Sequence, residues 1–356
     1  MKTLKNLLFV AIVLIVIITS CSKDDEKPID TGYLHGVFIT NEGGFMNNNG
    51  SISYYDIDSG KVTNNLFQII NGYGPGDIVQ SFGVAGNKGF IVVNNSQKVE
   101  VVDMESFESL GTITGVDYPR YFIGIDNDKG YLSNGKSAGK VYVIDLVTLK
   151  LTDSIDVGNG PENIVKSGNY VFVANSGGWT NDSTVSVIDV TTDQVIETIH
   201  VGDNPTDMVV DKNGDIWVLC KGKVVYDQNW NITDETDSKL VKINGSNRSV
   251  EETFVVGQTG DFFNPNRLAI SHDGQNIFFG EASGIYRMNI ADSNVPTSVF
   301  IAKQYYGLDI DPDNGTIYCL KANGFDANGM VYMYNSNGIL TDSLEVGIAP
   351  NGATFN

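Results

Sequence analysis

Cysteine, histidine and tryptophan each occur only three times in these 356 residues, and basic residues are outnumbered by acidic ones, 23 to 43. So few cysteines exclude a disulfide-stapled scaffold. Cys21 lies in an N-terminal processing signal, while Cys220 in IWVLC and Cys319 in TIYCL sit in apolar alternating runs and read as buried free thiols. His35, His200 and His272 have no metal-ligand spacing. No serine stands in a GxSxG context, no Cys–His pair is arguable, and Asp311–Gly315 (DPDNG) lacks the downstream glutamate of a calcium loop. A conventional catalytic set is therefore missing. The longest apolar run, Leu7–Ile18, covers about twelve residues, whereas a membrane-spanning helix needs roughly 20. No long stretch carries apolar residues at helical spacing, which argues against a helical fold. The formal charge of −20 becomes −22 once residues 1–20, with their two lysines, are removed. Such a surface repels nucleic acid and anionic lipid.

What is abundant is a repeat. Residues 161–205 hold four short alternating segments, Glu162–Lys166, Tyr170–Asn175, Thr184–Asp189 and Gln194–Val201, separated by Gly, Asn, Asp or Ser turns. That is one four-stranded antiparallel unit. Its opening Gly/Pro hinge recurs at Pro75, Pro119, Pro161, Pro205, Pro265 and Pro350, with Gly307 in the remaining place, at spacings of 44, 42, 44, 60, 42 and 43 residues. A four-stranded repeat of roughly 40–45 residues is the signature of a propeller blade, so the expected fold is an all-β, seven-bladed β-propeller. Only the fifth repeat carries an insertion. After Pro350 there is room for one strand, and it is expected to complete the first blade and close the ring.

The expected organisation is a signal peptide over 1–20, a lipidated tether over 21–32 and the propeller over 33–356. Lys2 and Lys5 precede the apolar run, and Ile18-Thr19-Ser20-Cys21 fits a lipobox with Cys21 as the lipidated residue. The following Ser22-Lys23-Asp24-Asp25-Glu26 looks like the acidic export signal of Bacteroidetes-type surface lipoproteins. A solvated linker facing the periplasm is the other reading of the same acids. VFVANSGG followed by TVSVIDVTTDQVIETIHVGDNP resembles the YVTN-type repeat of YncE-like propellers. That resemblance specifies fold and leaves function open, because such propellers host lyases, lactonases, dehydrogenase-like sites and pure binders.

Blade topology separates the loops into two faces. One carries AGNKG, DNDKG, KSGN, DKNGD, SHDGQ and DPDNG, whose residues have local turn-forming reasons to be there. The hinge face carries longer loops with aromatic residues that are costly to leave wet: Phe45, Trp179, Trp230 and Phe325, joined by Tyr73, Tyr118, Phe263 and Tyr306 near the hinges. Around the channel mouth, Arg120, Asn163, Asn266 and Arg267 are expected to point inward as hydrogen-bonding groups. Together these twelve residues are the candidate ligand site.

Lipobox, acidic signal, seven blades and an aromatic, amide-rich face together resemble the cobalamin-capturing propeller lipoproteins of BtuG type. The resemblance implies an outer-membrane lipoprotein, exposed at the cell surface, that binds a small-molecule nutrient, cobalamin first among candidates, and passes it to a TonB-dependent transporter. It implies no enzymatic role, no cofactor, no nucleic-acid partner and contact with membrane only through the lipid anchor. Two other readings stay open: a lactonase- or lyase-type enzyme with a divalent ion at the channel mouth, and a protein- or glycan-binding scaffold.

Overall fold

Alternating apolar runs punctuated by turn residues fold into the units that the sequence predicts. The structure, a computed structural model, describes residues 32–33, 35–257 and 267–356. The larger compact unit of the chain is Tyr33–Asn356. In the clearest repeat, β12 (Pro161–Ser167), β13 (Tyr170–Asn175), β14 (Thr184–Asp189) and β15 (Gln194–His200) pair in sequence order. The middle strands β13 and β14 are buried along nearly their whole length, while the outer strand β15 alternates between exposed and covered positions. A strand packed on both faces needs continuous apolar character, and one at the rim needs it on one face only.

The same four-stranded pattern gives blade two (β4–β7, residues 79–113), blade three (β8–β11, residues 119–156) and blade seven (β25–β28, residues 307–348). Blade five is built from β16 (Pro205–Val210), β17 (Ile216–Cys220), β20 (Ser238–Ile243) and β21 (Val250–Gly257). Its insertion is a separate two-stranded ribbon, β18 (Val224–Tyr226) with β19 (Ile232–Glu235). Blade six pairs three strands, β22 (Leu268–Ile270), β23 (Asn276–Glu281) and β24 (Gly284–Asn289), and its fourth position is reduced to an Ile285–Ile301 bridge. Pro296 falls in that segment and has no N–H to give a ladder. A short helix α1 (Leu66–Asn71), which period-two reading does not foresee, buries Leu66 and Phe67 beside blade one. Six residues cannot sustain a helix alone. Tertiary bonds hold it: Asn71 Nδ2 donates to the Phe107 carbonyl, and Asn71 Oδ1 accepts from the Ser109 N–H.

Each junction between neighbouring blades holds its own apolar cluster, so the core is a ring and not a centre. Phe38 of blade one stacks on Phe107 at 5.2 Å, and Trp217 of blade five stacks on Phe254 at 6.0 Å while its indole N–H donates to Asp211. Cys220 and Cys319 are buried free thiols in two different junctions. Burial pushes the Cys220 thiol up to about 12 and raises Cys319 as well, so neither forms a thiolate near neutrality.

The ring closes as expected. β29 (Pro350–Phe355) pairs antiparallel with β1 (Gly36–Asn41), which continues through β2 (Ser51–Asp56) to β3 (Lys61–Thr63). Side chains lock the seam: Thr40 donates to Asn351 Oδ1 at 2.5 Å, and Asn351 Nδ2 donates to Glu42 and to the Gln80 carbonyl, each at 2.9 Å. Tyr306 of blade seven donates to Glu42 at 3.0 Å. Removing one partner strands buried polar groups, at a cost of roughly 1–3 kcal/mol. Asn351→Ala is therefore expected to lower the unfolding free energy from urea titration by about that amount, and an unchanged stability would show that the strand pairing alone closes the ring.

The inner strands surround a channel of about 320 Å³ lined in part by Asn163, Asp207 and Asp309. Burial lifts the Asp309 carboxyl from 3.8 to about 7. Because the folded chain then holds a proton that the unfolded chain releases, this residue's contribution to stability is lost as pH rises from about 4 to about 7. Asp309→Asn abolishes that titration. Thermal unfolding should show its advantage over the wild type growing between about pH 4 and about pH 7 and levelling off above; a constant difference would mean that Asp309 titrates normally.

Candidate functional site

All seven blades contribute to one large cavity of about 990 Å³ at the hinge-face end of the channel. Its walls are two stacks from opposite sides of the ring. In the first, the Arg120 guanidinium lies 5.6 Å from the Tyr118 ring, which is 6.5 Å from Trp179. In the second, Arg267 lies 6.0 Å from the Tyr306 ring, which meets Phe325 edge-on at 6.0 Å. Each stack thus grades from a cation through a tyrosine to an exposed ring. Phe45 completes the rim.

Local sequence sets these positions. Trp179 follows Gly177 and Gly178, both at positive φ, and stands 83% exposed. A Cβ on Gly160 would lie 1.9 Å from the Gly178 nitrogen, so hinge and loop pack backbone to backbone and push the indole outward. At the hinge of blade two, Ile78 holds φ 60, a left-handed conformation that costs a β-branched residue on the order of 1–3 kcal/mol. The Asn94 N–H donates to its carbonyl at 2.8 Å and holds it there.

The floor is polar. Arg120 donates to Glu162 at 2.7 Å and to Gln80 at 2.5 Å. Arg267 donates to the Tyr306 carbonyl at 3.2 Å and to the Tyr121 hydroxyl at 3.5 Å. Gln80, Tyr121, Asp207 and Arg267 face both this cavity and the channel, forming a belt between them. Burial pushes the Tyr306 phenol up and Glu42 adds to the shift, so the hydroxyl remains a donor through the neutral range. Lys221, in contrast, is held below the usual lysine range by burial and by the charge of Arg267.

Of the twelve residues that the sequence proposes, Phe45, Tyr118, Arg120, Trp179, Arg267, Tyr306 and Phe325 come together here. Asn163 lines the channel instead. Tyr73 packs edge-on against Phe67 at 5.1 Å, at the side of α1. Trp230 sits at the tip of the β18–β19 ribbon, 82% exposed and 6.0 Å from Tyr226, and does not line the cavity. Phe263 and Asn266 lie outside the described residues, as do Cys21 and the signal and tether before residue 32.

Much of the amide content serves the scaffold. Asn41 bonds Ile39, Ser51 and Ser53, Asn94 donates to the Pro119 carbonyl at 2.9 Å, and Asn134 accepts from the Tyr118 N–H at 2.6 Å. All three lie at the ends of second strands; Asn94 tethers the next blade's hinge, Asn134 the hinge of its own blade, and Asn41 the neighbouring strand. Within the Asn47–Asn49 run, Asn48 takes φ 54 and Asn49 accepts from the Gly44 N–H, so turn chemistry accounts for both. Sequence reasoning passed over Glu42, Gln80, Tyr121 and Lys221. Glu42 and Lys221 share one available signal, a charged residue immediately after a second strand on the hinge face.

A divalent ion does not fit this floor. Among the described residues no group of three or more His, Cys, Asp or Glu is placed to hold a metal. The carboxylates Glu42, Glu162 and Asp207 are interleaved with Arg120, Lys221 and Arg267.

Solved structures share the fold at low identity. They include hydrazine synthase of Kuenenia stuttgartiensis (17% identity, 83% of this chain and 96% of that one, TM-score 0.63). A quinoprotein alcohol dehydrogenase-like protein of Bacteroides thetaiotaomicron matches at 14% identity over 91% of this chain and 78% of that one, with a TM-score of 0.65. The periplasmic gluconolactonase of Pseudomonas aeruginosa matches at 13% over 90% and 98%, with a TM-score of 0.63. No curated protein sequence matches the chain. The family profile described as "Domain of unknown function (DUF5074)" matches residues 35–347, almost the whole propeller, and the chain belongs to that family.

Proposed function

We propose that this chain is a capture lipoprotein, anchored through Cys21 to the outer membrane and facing outward, which binds a nutrient in the hinge-face cavity and passes it to a TonB-dependent transporter. The observation that carries this reading is the cavity itself. At about 990 Å³ it is in the upper range of small-molecule sites, with apolar ring walls and a few convergent polar groups. Its two stacks suit a large, partly flat ligand with hydrogen-bonding edges, and cobalamin is the first candidate. The lipobox and the acidic segment after it support the location, and the YVTN-like repeats support kinship with the cobalamin-capturing propellers.

An enzymatic role remains compatible with the fold, since a gluconolactonase and an alcohol dehydrogenase-like protein share it. Calorimetric titration of residues 33–356 with cobalamin, and separately with a divalent ion, distinguishes the readings. Saturable cobalamin binding is expected, weakened roughly tenfold or more by Trp179→Ala or Phe325→Ala, because truncating central aromatic anchors removes most of a contact's energy. Trp230→Ala, on the ribbon, should change it by less than about threefold. Silence with cobalamin and stoichiometric metal binding would instead favour the enzyme.

A further inference from the structure

The hinge-face cavity holds cations that make no direct ion pair, although Glu42, Glu162 and Asp207 line it too. Lys221, Arg267 and Lys321 all line it, and among the described residues none has a carboxylate within ion-pair distance. The nearby carboxylates are committed elsewhere. Glu162 accepts from Arg120, Glu42 accepts from Tyr306 and Asn351, and Asp207 accepts from the N–H groups of Leu268 and Met208. Lys221 Nζ makes no hydrogen bond to any described residue, and Arg267 spends only Nε and Nη1, on neutral oxygens.

This arrangement is costly in the free protein. Burial first and then the charge of Arg267 hold Lys221 below the usual lysine range, against the pull of Glu162 and Asp207. On an open surface a lysine would swing into water. Lys221 is fixed at its base, its N–H donating to the Asn204 carbonyl and its own carbonyl accepting from Ser238 at 2.6 Å. In a chain with 43 acidic residues and 23 basic ones, cations gathered in this cavity without a direct ion pair mark a place for an external negative charge.

We propose that the cavity seats an oxyanion, a carboxylate or a phosphate, between Lys221 and Arg267, with the rest of the ligand lying against Tyr118, Trp179 and Phe325. The guanidinium supplies a planar fork and the ammonium a point charge, the usual pairing for such a group. The inference deepens the capture reading and rests on the cavity being its ligand site. It narrows the ligand to molecules bearing at least one anionic group.

The test uses the mature chain from Cys21 onward, in detergent at low ionic strength, titrated calorimetrically with inorganic phosphate and, separately, with benzoate. Saturable binding of one or both is expected, and the arm that responds identifies the oxyanion. Lys221→Met and Arg267→Met should each weaken it by roughly tenfold or more, as loss of a charge-assisted bond requires, while Lys221→Arg restores it and Lys150→Met on the outer rim does nothing. Wild-type binding should also fade as pH rises through the lowered Lys221 range, while Arg120 and Arg267, both raised above the usual arginine range, keep their charges. That profile decides the matter if the methionine variants fail to fold. Absence of binding for both anions, or binding that both variants and pH leave unchanged, overturns the proposal. Cobalamin binding without anion binding would sink the seat and leave capture standing; anion binding without cobalamin binding would do the reverse.

Discussion

The structure depends on the pairing of its last strand with its first. β29 hydrogen-bonds along β1, and Thr40, Glu42, Asn351 and Tyr306 fasten the seam between blades seven and one. Every blade buries its apolar faces only against neighbours, so an open ring would leave two faces and a sheet edge in water. Closure removes them, and by forcing seven inner strands around one axis it creates the channel and the cavity above it. Glu42 belongs to both the seam and the cavity wall, so the element that closes the ring also shapes the site.

The distribution of charge follows from the same geometry. Carboxylates at the turns opposite the hinges accept backbone N–H groups: Asp103 from Glu105 and Ser106, Asp145 from Val147 and Thr148, Asp189 from Thr191. These bonds hold all three below the usual carboxylate range. A good part of the acidic excess is therefore turn chemistry repeated blade after blade, and it says little about a ligand. The cations of the cavity have no such local reason.

Legibility in the sequence varied with the kind of signal. The hinges recur at nearly constant spacing and the strands alternate with period two, so blade number, strand order and ring closure could all be read. Trp179, Phe45 and Phe325 were legible because an aromatic ring in a polar loop has few reasons to be there. Glu42, Gln80 and Lys221 were not, since a polar residue at a strand end looks the same whether it faces water or a cavity. The scaffold roles of Asn94 and Asn134 were not legible, because their partners, the Pro119 carbonyl and the Tyr118 N–H, lie 25 and 16 residues away in sequence. Trp230 was grouped with the site because nothing in KGKVVYDQNWNITDETDS shows that β18 and β19 pair into a ribbon of their own.

In the function proposed above, the hinge-face cavity is the ligand site. The most direct measurement is amide hydrogen exchange of the mature chain with and without saturating cobalamin. Binding in that cavity predicts slowed exchange in the loops over 41–50, 175–183 and 321–329, which carry Phe45, Trp179 and Phe325, and none in the turns of the opposite face. Protection confined to those opposite turns, or to the β18–β19 ribbon alone, would contradict it.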